Sequence, residues 1–216
     1  NINYKNFTMS FRLEEKIKLH ISDMIKLKNL ITSNSGKELY PKRKISSIYF
    51  DNKFLDMYKE SEEGTLPRKK IRIRNYPEDE KKIKNLETKI TSVEGKFKKN
   101  SEIINESYRN YMEKGIFDSS YGLCKKIIQI SYIREYWSLK NARLTIDYDI
   151  EYKSPITQNN HFDKEILILE IKSSKNVIAV QNTLLNILPL EKQRFSKYCE
   201  GVNKIYNQNH LQRLFI

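Results

Sequence analysis

The chain has 216 residues, with 40 Lys and Arg against 27 Asp and Glu, a net charge of +13 and 38% hydrophobic residues, which excludes a disordered segment. Two cysteines, Cys124 and Cys199, and three scattered histidines, His20, His161 and His210, exclude a disulfide scaffold and a zinc site of ordinary spacing. The longest apolar runs, such as Ile166–Leu169, fall far short of a membrane span, so the expectation is a single soluble, cytoplasmic, basic domain over residues 1–216 with an anionic partner.

In chain order, a first strand is expected at Asn3–Ser10. An amphipathic helix follows at Leu13–Ile31, with Ile17, Ile21, Met24 and Ile25 along one stripe. Thr32–Lys44 reads as a loop, Ile45–Asp51 as a strand and Glu62–Pro67 as a loop. Strands Lys69–Tyr76 and Asn85–Thr91 are separated by the Pro77–Lys82 loop, and a short strand at Lys96–Lys98 sits inside the loop Glu94–Asn100. Asn105–Gly115 is a short helix closed by its glycine. After the loop Phe117–Cys124 come strands Ile127–Trp137 and Ala142–Asp149, the loop Tyr152–Lys164 and strand Glu165–Ser173. Helix Asn176–Leu188 stops before Pro189, and helix Ser196–Asn207 takes Ser196 as its cap. Strands joined mostly by loops predict an α+β antiparallel sheet or barrel rather than βαβ units.

Most of the 40 cations are lysines, which a compositional bias scatters anywhere, so their positions say more than their number. Successive strand side chains point to opposite faces. One face of Lys69–Tyr76 carries Lys70, Arg72 and Arg74, opposite Ile71 and Ile73. Glu87 and Lys89 share a face, as do Arg143, Thr145 and Asp147; Glu170 and Lys172; and Tyr132, Arg134 and Tyr136. A half-buried sheet with charges facing water explains any one of these strands. Seven cations against three carboxylates over five strands favours instead a sheet closed around a cationic bore, with its apolar faces outward against helices. Such a bore suits a polyanion, because Arg forks bind phosphate oxygens in pairs and Lys adds point charge.

The segments Ser47-Ile-Tyr-Phe-Asp51, Leu66-Pro-Arg-Lys-Lys-Ile-Arg-Ile-Arg74, Leu86-Glu-Thr-Lys89, Tyr132-Ile-Arg134, Arg143-Leu-Thr-Ile-Asp147, Leu169-Glu-Ile-Lys172 and Arg194-Phe-Ser-Lys-Tyr-Cys-Glu-Gly201 occur in one order across nearly the whole chain. In that order they resemble the VTC domain, the catalytic domain of the vacuolar transporter chaperone family of polyphosphate polymerases, within the CYTH-like triphosphate tunnel metalloenzymes. The resemblance implies an eight-stranded antiparallel β-barrel, the triphosphate tunnel, with flanking helices. It implies phosphate ligands at Arg72, Arg74, Lys89, Arg134, Arg143 and Lys197, and a divalent ion, Mn²⁺ or Mg²⁺, on Glu170. Lys5 is matched to the first-strand tunnel lysine, and Lys59, Lys70, Lys96 and Lys172 are further candidates.

The reaction so implied moves the ATP γ-phosphate onto a growing polyphosphate chain. A tunnel triphosphatase or polyphosphate hydrolase and a non-catalytic polyanion-binding module are the alternatives. The partners are ATP and polyphosphate, with no specific nucleic acid, no membrane span and an unknown membrane or regulatory protein left open. Many tunnel enzymes begin with a Glu-x-Glu-x-Lys strand, whereas Asn3-Tyr-Lys5 offers no carboxylate. That difference disfavours a CYTH-type triphosphatase or cyclase and leaves Glu170 as the main metal candidate. Glu87 is expected to pair with Lys89, and Asp51 and Asp147 to be structural.

Overall fold

The computed structural model describes residues 8–10, 13–81, 83–173 and 195–206. Lys5, helix Asn176–Leu188 and most of the Asn3–Ser10 strand lie outside the described residues. The strands are β1 (Thr8–Ser10), β2 (Leu13–His20), β3 (Lys37–Asp51), β4 (Arg68–Asn75), β5 (Lys84–Ser92), β6 (Gly95–Ile103), β7 (Ile116–Asp118), β8 (Gly122–Leu139), β9 (Ala142–Lys153), β10 (Asn160–Asp163) and β11 (Ile166–Ser173). The helices are α1 (Met24–Ser33), α2 (Asp56–Glu63), α3 (Asn105–Lys114) and α4 (Lys197–Ile205).

Nine strands hydrogen-bond in the order β1-β6-β5-β4-β3-β8-β9-β11-β2, with β10 added on β9 and β7 on β8. Every ladder is antiparallel. The expected closed, eight-stranded barrel is therefore corrected: among the described residues the sheet has more strands, and its edges β1 and β2 share no ladder. Those edges are nonetheless neighbours in the chain, since β1 ends at Ser10 and β2 starts at Leu13. Glu14 on β2 also reaches Lys89 on β5 at 3.4 Å and Lys96 on β6 at 3.5 Å. Covalent connection and ion pairs thus draw the edges of the curled sheet together.

The largest local difference is β2, which sequence periodicity assigns to a helix. Only the second half of the expected helix Leu13–Ile31 is helical, as α1. In Leu13–His20, Ile17 and Leu19 alternate with Glu14, Lys16 and Lys18, and eight registered pairs with β11 hold the segment extended. The expected loop Thr32–Lys44 is mostly the exposed arm of β3, paired with the end of β8. Pro41 gives that arm no backbone donor, and the register shifts on both sides of Tyr40, which hides its alternation. Likewise β6 extends through the expected loop Glu94–Asn100, leaving only Val93 and Glu94 to turn the β5–β6 hairpin. Lys140 and Asn141, both in the left-handed region, make the two-residue turn between β8 and β9.

Helix α2 has no sequence-level start signal of its own. Its donors are capped by Asp51, whose carboxylate accepts from the backbone N–H groups of Asn52, Met57 and Tyr58 and from the Tyr198 hydroxyl at 2.6 Å. Helices α3 and α4 lie where the Gly115 stop and Ser196 cap place them, and Ser196 Oγ accepts from Cys199 N.

The apolar faces pack outward. Leu27, Leu30 and Ile31 of α1 cover Ile17, Leu144, Ile146 and Leu169. Met57 of α2 meets Phe50, Ile71 and Ile73, with α3 alongside. Helix α4 sets Tyr198, Val202 and Ile205 against Ile128, Ile150 and Tyr152. Its close approach depends on Gly201, where an added Cβ would stand 2.6 Å from Tyr152 Cδ1 and 2.7 Å from Ile128 Cδ1. Both neighbours are fully buried. Gly201→Ala is expected to destabilise the fold by roughly 1–3 kcal/mol, as overpacking does, measured as a lower urea midpoint with an unchanged slope.

A cationic cavity as the candidate functional site

The inner face of the curled sheet surrounds a cavity of about 540 Å³. Lys16 of β2, Arg68, Lys70, Arg72 and Arg74 of β4, Lys89 of β5, Lys96 and Lys98 of β6, Arg134 of β8, Lys172 of β11 and Lys197 at the start of α4 all line it. Against these eleven cations stand the carboxylates of Glu14, Glu87 and Glu170. The alternation that puts Ile71 and Ile73 into the outer core puts Arg72 and Arg74 inside.

Each acid in or behind the cavity positions a cation. Glu87 accepts from Arg72 Nε at 2.7 Å and stands 3.1 Å from Lys98 and 3.8 Å from Arg74. Its expected pairing with Lys89 gives way to this one, and Lys89 turns to Glu14. Asp147, with no exposed surface, takes Arg134 in fork geometry at 2.5 and 2.7 Å and Lys197 at 2.6 Å. Asp147 and Asp51 thus have the structural roles expected of them. Glu170 accepts from Thr145 and pairs with Lys172 at 3.3 Å and Arg134 at 3.7 Å.

The titrating groups register the field. Burial opposes ionisation of Glu170, but a hydrogen bond with Glu14 and the charges of Lys16, Lys172 and Arg134 hold it well below the usual carboxylate range. Burial would raise the Tyr49 phenol, yet Arg72 and Arg74, with Lys70, draw it down to about 8. Burial and the neighbouring Lys16 and Lys96 lower the Lys89 ammonium to about 8, against the opposing pull of Glu14. These shifts follow from cations crowded at low dielectric, and a bound anion relieves that repulsion.

Of the residues that the sequence nominates, Arg72, Arg74, Lys89, Arg134, Lys197, Lys70, Lys96, Lys172 and Glu170 come together around this cavity. Arg143 and Lys59 do not line it: both are exposed, Lys59 on α2 and Arg143 against the Tyr136 and Tyr40 rings. Sequence reasoning misses Glu14 and Lys16, because their segment is read as a helix, and also misses Arg68 and Lys98. In β2, Glu14-x-Lys16 faces Lys172 and Glu170 in register, and so brings to the cavity a carboxylate that Asn3-Tyr-Lys5 does not offer.

The curled antiparallel sheet thus turns eleven cations inward around one cavity. The family model of the VTC domain matches residues 11–206, and the chain belongs to that family. A comparison with curated proteins finds no match. Among solved structures, a suspected adenylate cyclase from Bacillus halodurans is similar at TM-score 0.60 and 15% identity, covering 91% of this chain and 100% of its own. A conserved hypothetical protein from Pyrococcus furiosus gives 0.54 and 15%, covering 86% and 97%. A suspected adenylyl cyclase from Hippeastrum, described as having a dominant triphosphatase activity, gives 0.52 and 16%, covering 92% and 100%. At these identities the likeness is one of fold.

The acids predict a pH dependence. The cations pull the Glu87 carboxyl down from 4.5 to about 2, so its stabilising contribution is complete above 4.5 and lost as pH falls towards 2. Urea midpoints measured across that window are expected to fall less steeply for Glu87→Gln than for the parent, so that the gap between the proteins narrows with acidity.

Proposed function

We propose that the chain is a polyphosphate polymerase, which transfers the γ-phosphoryl group of ATP to the end of a polyphosphate chain inside the cavity. The observation that carries this reading is the convergence of eleven cations on one cavity, several already locked in place by carboxylates before any ligand arrives. Phosphoryl transfer needs positioning and neutralisation of phosphate oxygens more than covalent help from protein. Arg72 and Arg74 present forks from one strand, while Arg134 and Lys197 are held side by side by Asp147. Lys70, Lys89, Lys96 and Lys172 add point charges around them. A terminal oxygen of the chain attacks the γ-phosphorus, the bond to the β–γ bridging oxygen breaks, and ADP leaves with that electron pair. The attacking oxygen is already anionic, so no protein base is required.

Among the described residues no group of three or more His, Cys, Asp or Glu side chains is placed to hold a metal ion. Glu14 and Glu170, on adjacent strands and both lining the cavity, still suit Mn²⁺ or Mg²⁺, which take one or two carboxylates and complete their shell with phosphate oxygens and water. Such an ion, when bound, supplies further neutralisation of the transferred group. Glu14 also supports a second reading, a triphosphatase in which water is the nucleophile, because it supplies the first-strand carboxylate that the sequence reading finds missing. The Hippeastrum protein, similar in fold, is described with that activity.

Two measurements test these readings. Tripolyphosphate at one hundred times its dissociation constant is expected to stabilise the protein by about 2.7 kcal/mol, seen as a raised melting temperature; no shift at saturating concentrations would count against any triphosphate site. Incubation with ATP and Mn²⁺, followed by gel separation of chain lengths, is expected to yield long polyphosphate. Arg74→Ala and Glu170→Ala are each expected to lower the rate by about a hundredfold or more. Orthophosphate as the only product would replace the polymerase with the triphosphatase.

A further inference from the structure

Beside the cavity lies a second group of cations: Arg143, which the family resemblance nominates, and Arg43, which neither sequence nor family singles out. Arg43 stands opposite Arg134 in the β3–β8 ladder, and Arg143 stands opposite Lys172 in the β9–β11 ladder. Arg134 and Lys172 both line the cavity, so the two outer arginines continue its charge past the rim. Each is exposed. One ring, Tyr136, lies 5.1 Å from the Arg43 guanidinium and 5.2 Å from that of Arg143. Arg43 also stacks over Tyr76 at 4.3 Å and donates from Nε to the Tyr136 hydroxyl at 2.8 Å. Arg143 lies 6.0 Å from Tyr40, whose ring meets Tyr136 edge-on.

The contrast with the cavity is chemical. Inside, Arg72, Arg74 and Arg134 are held by carboxylates. Among the described residues, no carboxylate forms an ion pair with Arg43 or Arg143, and aromatic rings orient them instead. A ring fixes a guanidinium without neutralising it. With Tyr76 stacked against it and Nε given to the Tyr136 hydroxyl, Arg43 keeps its two Nη groups for a ligand, which suits phosphate oxygens better than a stacked base. Tyr136 is itself 1% exposed and cannot receive a base.

We propose that Arg43 is a further phosphate-binding residue, set beside Arg143 at the rim of the cavity, and that it holds the part of a polyphosphate chain extending beyond that cavity. This rests on the polyphosphate reading given above and adds a site that only a long chain reaches. The site makes affinity depend on chain length.

The test compares binding of tripolyphosphate, ATP and long-chain polyphosphate to the whole chain by calorimetry, for the parent, Arg43→Gln and Arg43→Lys. Arg43→Gln is expected to weaken long-chain binding about tenfold, the loss of one charge-assisted contact, and to leave tripolyphosphate unchanged. Arg43→Lys, which keeps the charge and loses the fork, is expected to fall between the two. Unchanged long-chain affinity overturns the proposal. So does an equal loss for tripolyphosphate, which would mean that Arg43 acts through the cavity, or a loss confined to ATP, which would assign the rim to the nucleoside. A parent that binds neither tripolyphosphate nor the long chain would sink the underlying reading, an outcome separate from any effect of Arg43.

Discussion

Asp147 is the fixed point of the site. It has no exposed surface, yet it carries a charge that folding would not tolerate alone, and two cations, one from the adjoining strand and one 50 residues on, complete it. Arg134 reaches it from the neighbouring strand β8, and Lys197 reaches it from the first turn of α4. One buried carboxylate therefore joins the sheet to the helix that follows it in the chain. The next residue, Tyr198, stacks on Tyr49 at 5.1 Å and donates to Asp51, which caps α2. Arg72 in turn donates to the Tyr49 hydroxyl at 2.8 Å. The start of α4, the start of α2 and the cavity-facing arginines of β4 are thus tied together by two aspartates and two stacked tyrosines. Loss of either aspartate would leave buried donors and cations without the partners that orient them.

The same bookkeeping of charge explains why the cavity is poised for an anion. The acids are too few for the cations and are already engaged in orienting them. The excess draws the Tyr49 phenol down to about 8 against its burial, and it adds to the burial that lowers the Lys89 ammonium to about 8. A stability-optimised interior would have paired or removed such charges. Keeping them unneutralised makes sense when a ligand supplies the missing negative charge and recovers the desolvation already spent on the empty site.

Much of this arrangement is legible in the sequence because a strand writes its two faces alternately. Ile71 and Ile73 against Arg72 and Arg74 announce both the outer core and the inner surface, and the fold places all four accordingly. Gly115 and Ser196 mark helix ends by local chemistry alone. What escapes the sequence depends on distant partners. Glu14 and Lys16 sit in a stretch whose apolar residues run on into a genuine helix, so local periodicity misreads β2, and only its ladder with β11 fixes it as a strand. Arg143 has the right parity for the cavity but lies out at its rim, because its place is set by how far β9 runs along β11, which alternation does not reveal. Strand number and closure escape for the same reason, since the pairing of edges is decided by the curl of the whole sheet.

Whether such a site makes chains or cleaves them turns on which nucleophile stands behind the γ-phosphorus. The cations that bind a phosphate donor bind a phosphate acceptor equally well, since both present the same oxygens. An acceptor chain displaces water from the positions its own oxygens occupy, so a longer cationic track both raises its local concentration and dries the path of attack. A short track holds the donor alone and leaves the opposite face to water. On the proposed reading, the extent of positive charge along the cavity and past its rim, more than any single residue inside it, sets the balance between synthesis and hydrolysis in this fold.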